Sequence, residues 1–237
     1  MASTSGATGP ANVERWWLSL FGFWQLRREQ AVDVGGNAQR LLALLALKGT
    51  WDRSYVAGLM WPEHTEAHAH DSLRATLSRL RRREVDVLTV AGPTLALSPA
   101  VVVDVHDFLA AASSVLGPPG TSWNGAVTRL RGDELLPGWY DDWVLLERER
   151  LRQLRLHTLE AVASQCLARG QPAAALDAAL TAVAIEPLRE SAHGAVIEVH
   201  LGEGNRVEAE RQLRYLTRLL RDELGAAPSS LVTDLFR

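Results

Sequence analysis

Apolar positions alternate or cluster in short runs at the start of the chain and then settle into a helical period. The segments "WWLSLFG" (16–22), "FWQLRRE" (23–29) and "AVDV" (31–34) are aromatic or β-branched and are punctuated by Gly22, Gly35 and Gly36. They predict three short strands. In "NAQRLLALLALKG" the leucines cover a wide face, with Asn37 as the expected N-cap and Gly49 as the expected stop. A short helix is predicted over 53–61, ending before Pro62, and the loop "PEHTEAH" leads to "AHDSLRATLSRLRRR" (69–83). There Leu73, Leu77 and Leu80 fall at helical spacing and five arginines occupy other positions. "VLTV" (87–90) and "TLAL" (94–97), joined through "AGP", read as a two-stranded ribbon.

Strands, helix, short helix, long basic helix and hairpin, in that order, are the build of a winged helix-turn-helix with an N-terminal sheet. In that build the third helix presents its outer face to the major groove. Past "SPAVVVDVHDF" the pattern becomes almost wholly helical: "DVHDFLAAASSVL", a loop at "GPPGTSWNG" (117–125), then a long helix over 145–170. Gly170-Gln171 and Gly204-Asn205 lie 34 residues apart, and Ala175, Ala179 and Ile185 align with Ala209, Leu213 and Leu219. A period of this length is that of tetratricopeptide helix pairs, which stack into partner-binding surfaces. The expected fold class is therefore mainly α with a small β component: a winged helix-turn-helix domain followed by an all-α tetratricopeptide-like domain. The expected divisions are a tail over 1–12, the first domain over 13–99 and the second over 100–237.

Composition narrows the class. Of 237 residues 47% are hydrophobic and 22% charged, the balance of a globular chain. No window approaches the roughly 18 to 20 apolar residues that span a bilayer, and the first dozen residues lack a secretory pattern. Cys166 is the one cysteine, which excludes disulfide scaffolds and points to a reducing cytoplasm. The net charge of −3 hides an asymmetry: 11 basic and 9 acidic residues over 12–98, against 14 and 19 over 99–237. A basic concentration at 74–83 beside an acidic second half suits a protein that meets DNA through one helix.

On the third helix, Asp71, Ala75, Ser78 and Arg82 lie opposite the leucine seam, flanked by Arg74 and Arg79. Early outward residues of such a helix reach base edges and later ones meet phosphates. Arg74 and Ser78 are thus the base-reading candidates. Arg79 and Arg82 are the first phosphate candidates, with Arg81 near the seam's edge and Arg83 on the other flank behind them.

At this point a resemblance is evident. "LLALLALKG", "VAGLMWPE" and "AHDSLRATLSRLRRR" resemble the DNA-binding half of the Streptomyces antibiotic regulatory protein family. "LRGDELLPGWYDDWVLLERERLRQLRLHTLEAVA" resembles the opening of that family's bacterial transcriptional activation domain. The resemblance implies an OmpR-type winged helix, binding to direct repeats near a promoter −35 element, and recruitment of RNA polymerase through its sigma factor and core. It implies paired copies on DNA, no membrane partner, a place in the cytoplasm at the nucleoid, and control of a secondary-metabolite (antibiotic) gene cluster. Ser78-Arg79-Leu80-Arg81-Arg82 matches the family's run as it stands. The family commonly has Asn-Ala-Leu-Gln where this chain has Asp71-Ser72-Leu73-Arg74, and arginine suits guanine where glutamine suits adenine. The wing reads "GPTLAL", without the family's aromatic residue. Loop residues Glu63, His64 and Glu66 are the candidates for polymerase contact.

Other chemistry is weaker. His64, His68 and His70 cluster in the loop before the basic helix, but no cysteine accompanies them and no metal is expected. Asp133-Glu134 and Asp141-Asp142 are neighbours rather than groups facing across a cleft, and Trp139, Tyr140 and Trp143 suggest a packed corner around them. No phosphate loop, nucleophile elbow or metalloprotease helix is present, so neither an enzyme nor a cofactor is expected. The alternative is a tetratricopeptide-type adaptor with a non-functional winged helix.

Overall fold

The computed structural model describes residues 15–117, 130 and 132–237. The predicted tail over 1–12, and the predicted loop over 117–125 apart from Gly117, lie outside the described residues. The chain divides into two compact units, Met1–His106 and Asp107–Arg237.

The first unit opens with β1 (Trp16–Ser19), where Trp16 and Leu18 point inward and Trp17 outward, the period-two pattern of a half-buried strand. β1 pairs antiparallel with β2 (Gln25–Arg27), Trp17 opposite Arg27. The third predicted strand, over 31–34, does not form: only an isolated bridge joins Arg27 and Ala31. The sheet is completed instead by Val101–Val103, which pairs parallel with β1 and buries Val101 and Val103. The expected boundary at 99/100 therefore cuts away a strand that the first unit uses. A carboxylate fixes this edge, since Asp104 accepts the Leu20 amide at 2.8 Å and the Phe21 amide at 3.0 Å.

Next comes α1 (Gly36–Lys48), capped by Gly35 at φ 76 rather than by Asn37, which lies inside the helix. Glycine takes this left-handed conformation without the Cβ clash other residues suffer. Gly49, at φ 82, ends the helix as expected. A two-residue strand, β3 (Trp51–Asp52), precedes α2 (Arg53–Met60), whose N-cap Asp52 accepts the Ser54 amide at 2.7 Å. α3 (Glu66–Arg82) starts three residues earlier than expected because Thr65 caps it. β4 (Leu88–Ala91) and β5 (Thr94–Leu97) form the hairpin, with β3 pairing on the free side of β5. The strand Val101–Val103 is β6, and α4 (Asp104–Leu116) follows it directly.

The second unit is helical: α5 (Asp142–Ala168), α6 (Pro172–Ile185), α7 (Glu190–Gly202), α8 (Arg206–Leu224) and the short α9 (Ser230–Thr233) with a 3-10 turn, Asp234–Phe236. Left-handed Gly170 (φ 70) and Gly204 (φ 76) make the turns before α6 and α8, so the two helices start one repeat length apart. α6 buries Ala175, Ala178, Ala179 and Ala182, small residues that let neighbouring helices come close. α8 buries Ala209, Leu216 and Leu220 against Ile197 of α7 and Val232 of α9.

The segment before α5 is held by two arginines of that helix. Arg148 donates to the carbonyls of Leu135, Leu136 and Trp139, and Arg155 to those of Gly132 and Asp133. The expected packed corner is only partly so: Trp143 is buried, while Tyr140 is 79% exposed.

Candidate nucleic-acid interface

α3 turns Ala69, Leu73, Thr76 and Leu80 inward. Leu77 is only half-buried, so the seam is rotated toward Thr76 relative to the expected leucine line. Thr76 is tolerated there because its hydroxyl donates to the Ser72 carbonyl at 2.8 Å, leaving no unmet polar group. With this inner face set against α1 and α2, the outer face carries Asp71, Arg74, Ser78 and Arg82, all exposed.

The arginines divide by surroundings. Arg74 is paired with Asp71 one turn back, both side chains largely in water. The hydrogen bond from Arg74 holds the Asp71 carboxyl below its usual range, with the guanidinium charge adding to it. Arg74, expected from the sequence to face base edges, thus shares the outer face with a carboxylate that pairs with it. Arg79, Arg81 and Arg82 are exposed and form no ion pair with other described residues. Arg83 ends the helix and donates to the Asp33 carbonyl, so it is partly committed to its own unit.

Arg79 and Arg83 sit on the flank facing the start of α1. There a cavity of about 380 Å³ is lined by Val34, Gly35, Gly36, Asn37, Ala38, Thr76 and the two arginines. At the start of α1 the Ala38 and Gln39 amides bond to the Gly35 carbonyl and the Gly35 amide to the Asp33 carboxylate, while those of Gly36 and Asn37 have no partner among the described residues. Free amides beside a guanidinium favour an oxyanion.

The wing carries no charge from Leu88 to Leu97, and its turn is made by Gly92, at φ 57, and Pro93. Glycine first and a negative-φ residue second suit a two-residue hairpin turn. Beside it Tyr55, 51% exposed, stacks on Trp51 with ring centroids 4.4 Å apart. This aromatic pair was missed in the sequence. Its signal was the four-residue spacing across the cap of α2.

Glu63 and His64 are exposed in the loop between α2 and α3, and Glu66 is the exposed first residue of α3. The histidines do not share one loop: His68 and His70 lie on α3. The Nδ1 of His68 is 3.0 Å from the Thr65 hydroxyl, and the Nε2 of His70 is 3.8 Å from Glu66. Among the described residues no three histidine, cysteine or acidic groups are placed to hold a metal ion. None of the described helices is long and apolar enough to cross a membrane.

A winged helix-turn-helix joined to a tetratricopeptide-like unit defines a transcription regulator of two parts. Residues 120–237 match the family described as bacterial transcriptional activator domain. The second half of the chain is thus a bacterial transcriptional activator domain, and the chain is a bacterial transcriptional activator that carries it. A solved structure of Mycobacterium tuberculosis EmbR, in complex with a low-affinity phosphopeptide, is similar to it with a TM-score of 0.73 at 21% identity. The match covers 93% of this chain and 64% of that one, so the chain spans about two thirds of the EmbR length. That likeness establishes the fold, a winged helix followed by a tetratricopeptide-like domain. No curated protein matches the chain.

Proposed function

We propose that the first unit binds promoter DNA through α3 and that the second unit serves activation. The observation that carries this reading is the set of exposed guanidinium groups at Arg79, Arg81 and Arg82, which have no carboxylate to neutralise them among the described residues. Arg82 and Arg81 meet phosphates, and Arg79 clamps one together with the α1 amides. Arg74 and Ser78 sample base edges, and the Asp71 carboxylate orients Arg74 by accepting its hydrogen bond. Arg83 contributes less, since it already donates to Asp33. The finer reading takes two copies on direct repeats near a −35 element of an antibiotic gene cluster, at the nucleoid, with RNA polymerase recruited through sigma factor and core.

Titrations of operator DNA at several salt concentrations test this. Arg79→Ala should weaken binding on every sequence and flatten the salt slope by about 1. Arg74→Ala should instead lose about 1–3 kcal/mol of discrimination at one base pair. An affinity indifferent to salt, or a sequence preference untouched by Arg74→Ala, overturns the respective assignment. For polymerase, reversing Glu63 and Glu66 to lysine should lower transcript yield from a defined template. Undiminished transcription at unaltered DNA affinity would remove the loop from the contact.

A further inference from the structure

α8 holds a second basic face. From Arg211 to Arg221 the sequence "RQLRYLTRLLR" has four arginines and no carboxylate, inside a half of the chain that is otherwise acidic. Spacings of three, four and three place Arg211, Arg214, Arg218 and Arg221 on one side of the helix. The buried residues Ala209, Leu216 and Leu220 occupy the opposite side. All four arginines are exposed. Arg211 and Arg221 have carboxylates of their own helix within reach, Glu208 at 2.8 Å and Asp222 at 2.9 Å. Arg214 and Arg218, at the centre, form no ion pair with other described residues. At about 1.5 Å per residue the row is about 15 Å long.

We infer that this row is a second DNA contact: the helical unit lays α8 along duplex phosphates. The inference rests on the proposed DNA binding. Two features favour a nucleic acid over a protein. A duplex carries about one negative charge per 1.7 Å of axis, so a straight row of this length has several phosphates within reach. A protein partner would need apolar anchors at the centre of the patch. Among the described residues of this stretch Tyr215 is the one large apolar side chain exposed, at 46%, and it stands beside the row rather than in it. The row also answers an electrostatic problem. With 14 basic against 19 acidic residues over 99–237, this half as a whole is repelled by DNA, and α8 is a face on which the repulsion is reversed. A backbone contact of this kind adds affinity without adding base preference.

The test uses the full chain and an operator duplex, comparing wild type with R214Q/R218Q. Both side chains are exposed and unpaired, so the fold tolerates the change. Removing two phosphate contacts should lower the salt slope by about 1.8 and weaken binding roughly 10- to 20-fold near 0.2 M salt, with the order of preferred sequences retained. R214K/R218K should keep most of the affinity, because charge rather than shape carries the contact. An unaltered slope in R214Q/R218Q, while Arg79→Ala still flattens it, would overturn the α8 contact and leave α3 standing. Loss of transcription at unaltered DNA affinity would also overturn it, assigning the row to an acidic protein surface. No salt-dependent binding by the wild-type chain would remove both.

Discussion

Leu73→Ala should destabilise the first unit by about 3 kcal/mol, the largest effect expected from a single change in α3. Leu73 is 1% exposed and belongs to the inner seam with Ala69, Thr76 and Leu80. Removing a buried leucine side chain forfeits its transfer free energy and leaves a cavity that close-packed neighbours fill only in part. The seam holds α3 on α1 and α2, so its loosening misaims every outward arginine at once. Hydrogen exchange of the full chain would show faster exchange in α1 to α3 and unaltered exchange in α6 to α8, and DNA affinity would fall on all sequences alike. Ser78→Ala, on the exposed side of the same helix, should leave exchange unchanged and affect binding alone. A loss below about 1 kcal/mol for Leu73→Ala would mean that the inner face of α3 is not the one identified.

That inner face also marks where sequence reasoning reached its limit. Local signals were sufficient for β5 and α4, whose bounds agree with the expected ones, and for the stop at Gly49. The two glycine turns of the repeat were equally legible, because a left-handed residue between paired helices is a local requirement. What failed depended either on partners distant in sequence or on side-chain conformation within a turn of helix. Val101–Val103 is too short to stand out as a strand, and its pairing partner β1 lies more than 80 residues earlier. Thr76 is polar, and only its bond to the Ser72 carbonyl shows how it can face inward, so leucine spacing alone sets the seam slightly askew. Asp71 and Arg74 were both placed on the outer face, yet their pairing depends on rotamers. The cavity between Arg79 and the α1 amides joins segments some forty residues apart, and no periodicity reports it.

In the helical unit Arg189→Ala should cost about 2–3 kcal/mol through the loss of one ion pair. Arg189, just before α7, donates to both oxygens of Glu160 on α5, at 2.7 and 3.1 Å, and Ser191 adds a bond to Glu160 at 2.6 Å. The two charged side chains are only 19% and 18% exposed, so the Glu160 carboxylate left behind would be poorly hydrated. Burial pushes the Glu160 carboxyl up, but the bonds from Arg189 and Ser191 outweigh it and hold the group below the usual 4.5. A carboxyl depressed in the folded state stabilises above its ordinary value and ceases to do so as acid protonates it. The contribution of this pair is therefore present at neutral pH and fades as pH falls below about 4.5 through the depressed folded value. Urea unfolding, resolved by hydrogen exchange in α5 and α7, should show Arg189→Ala weaker than wild type at pH 7 and the gap narrowing in acid. Glu160→Leu with Arg189→Met should recover much of the loss at pH 7, because removing both charges leaves neither stranded. A gap that is constant with pH would show that Arg189 acts by packing rather than by its charge.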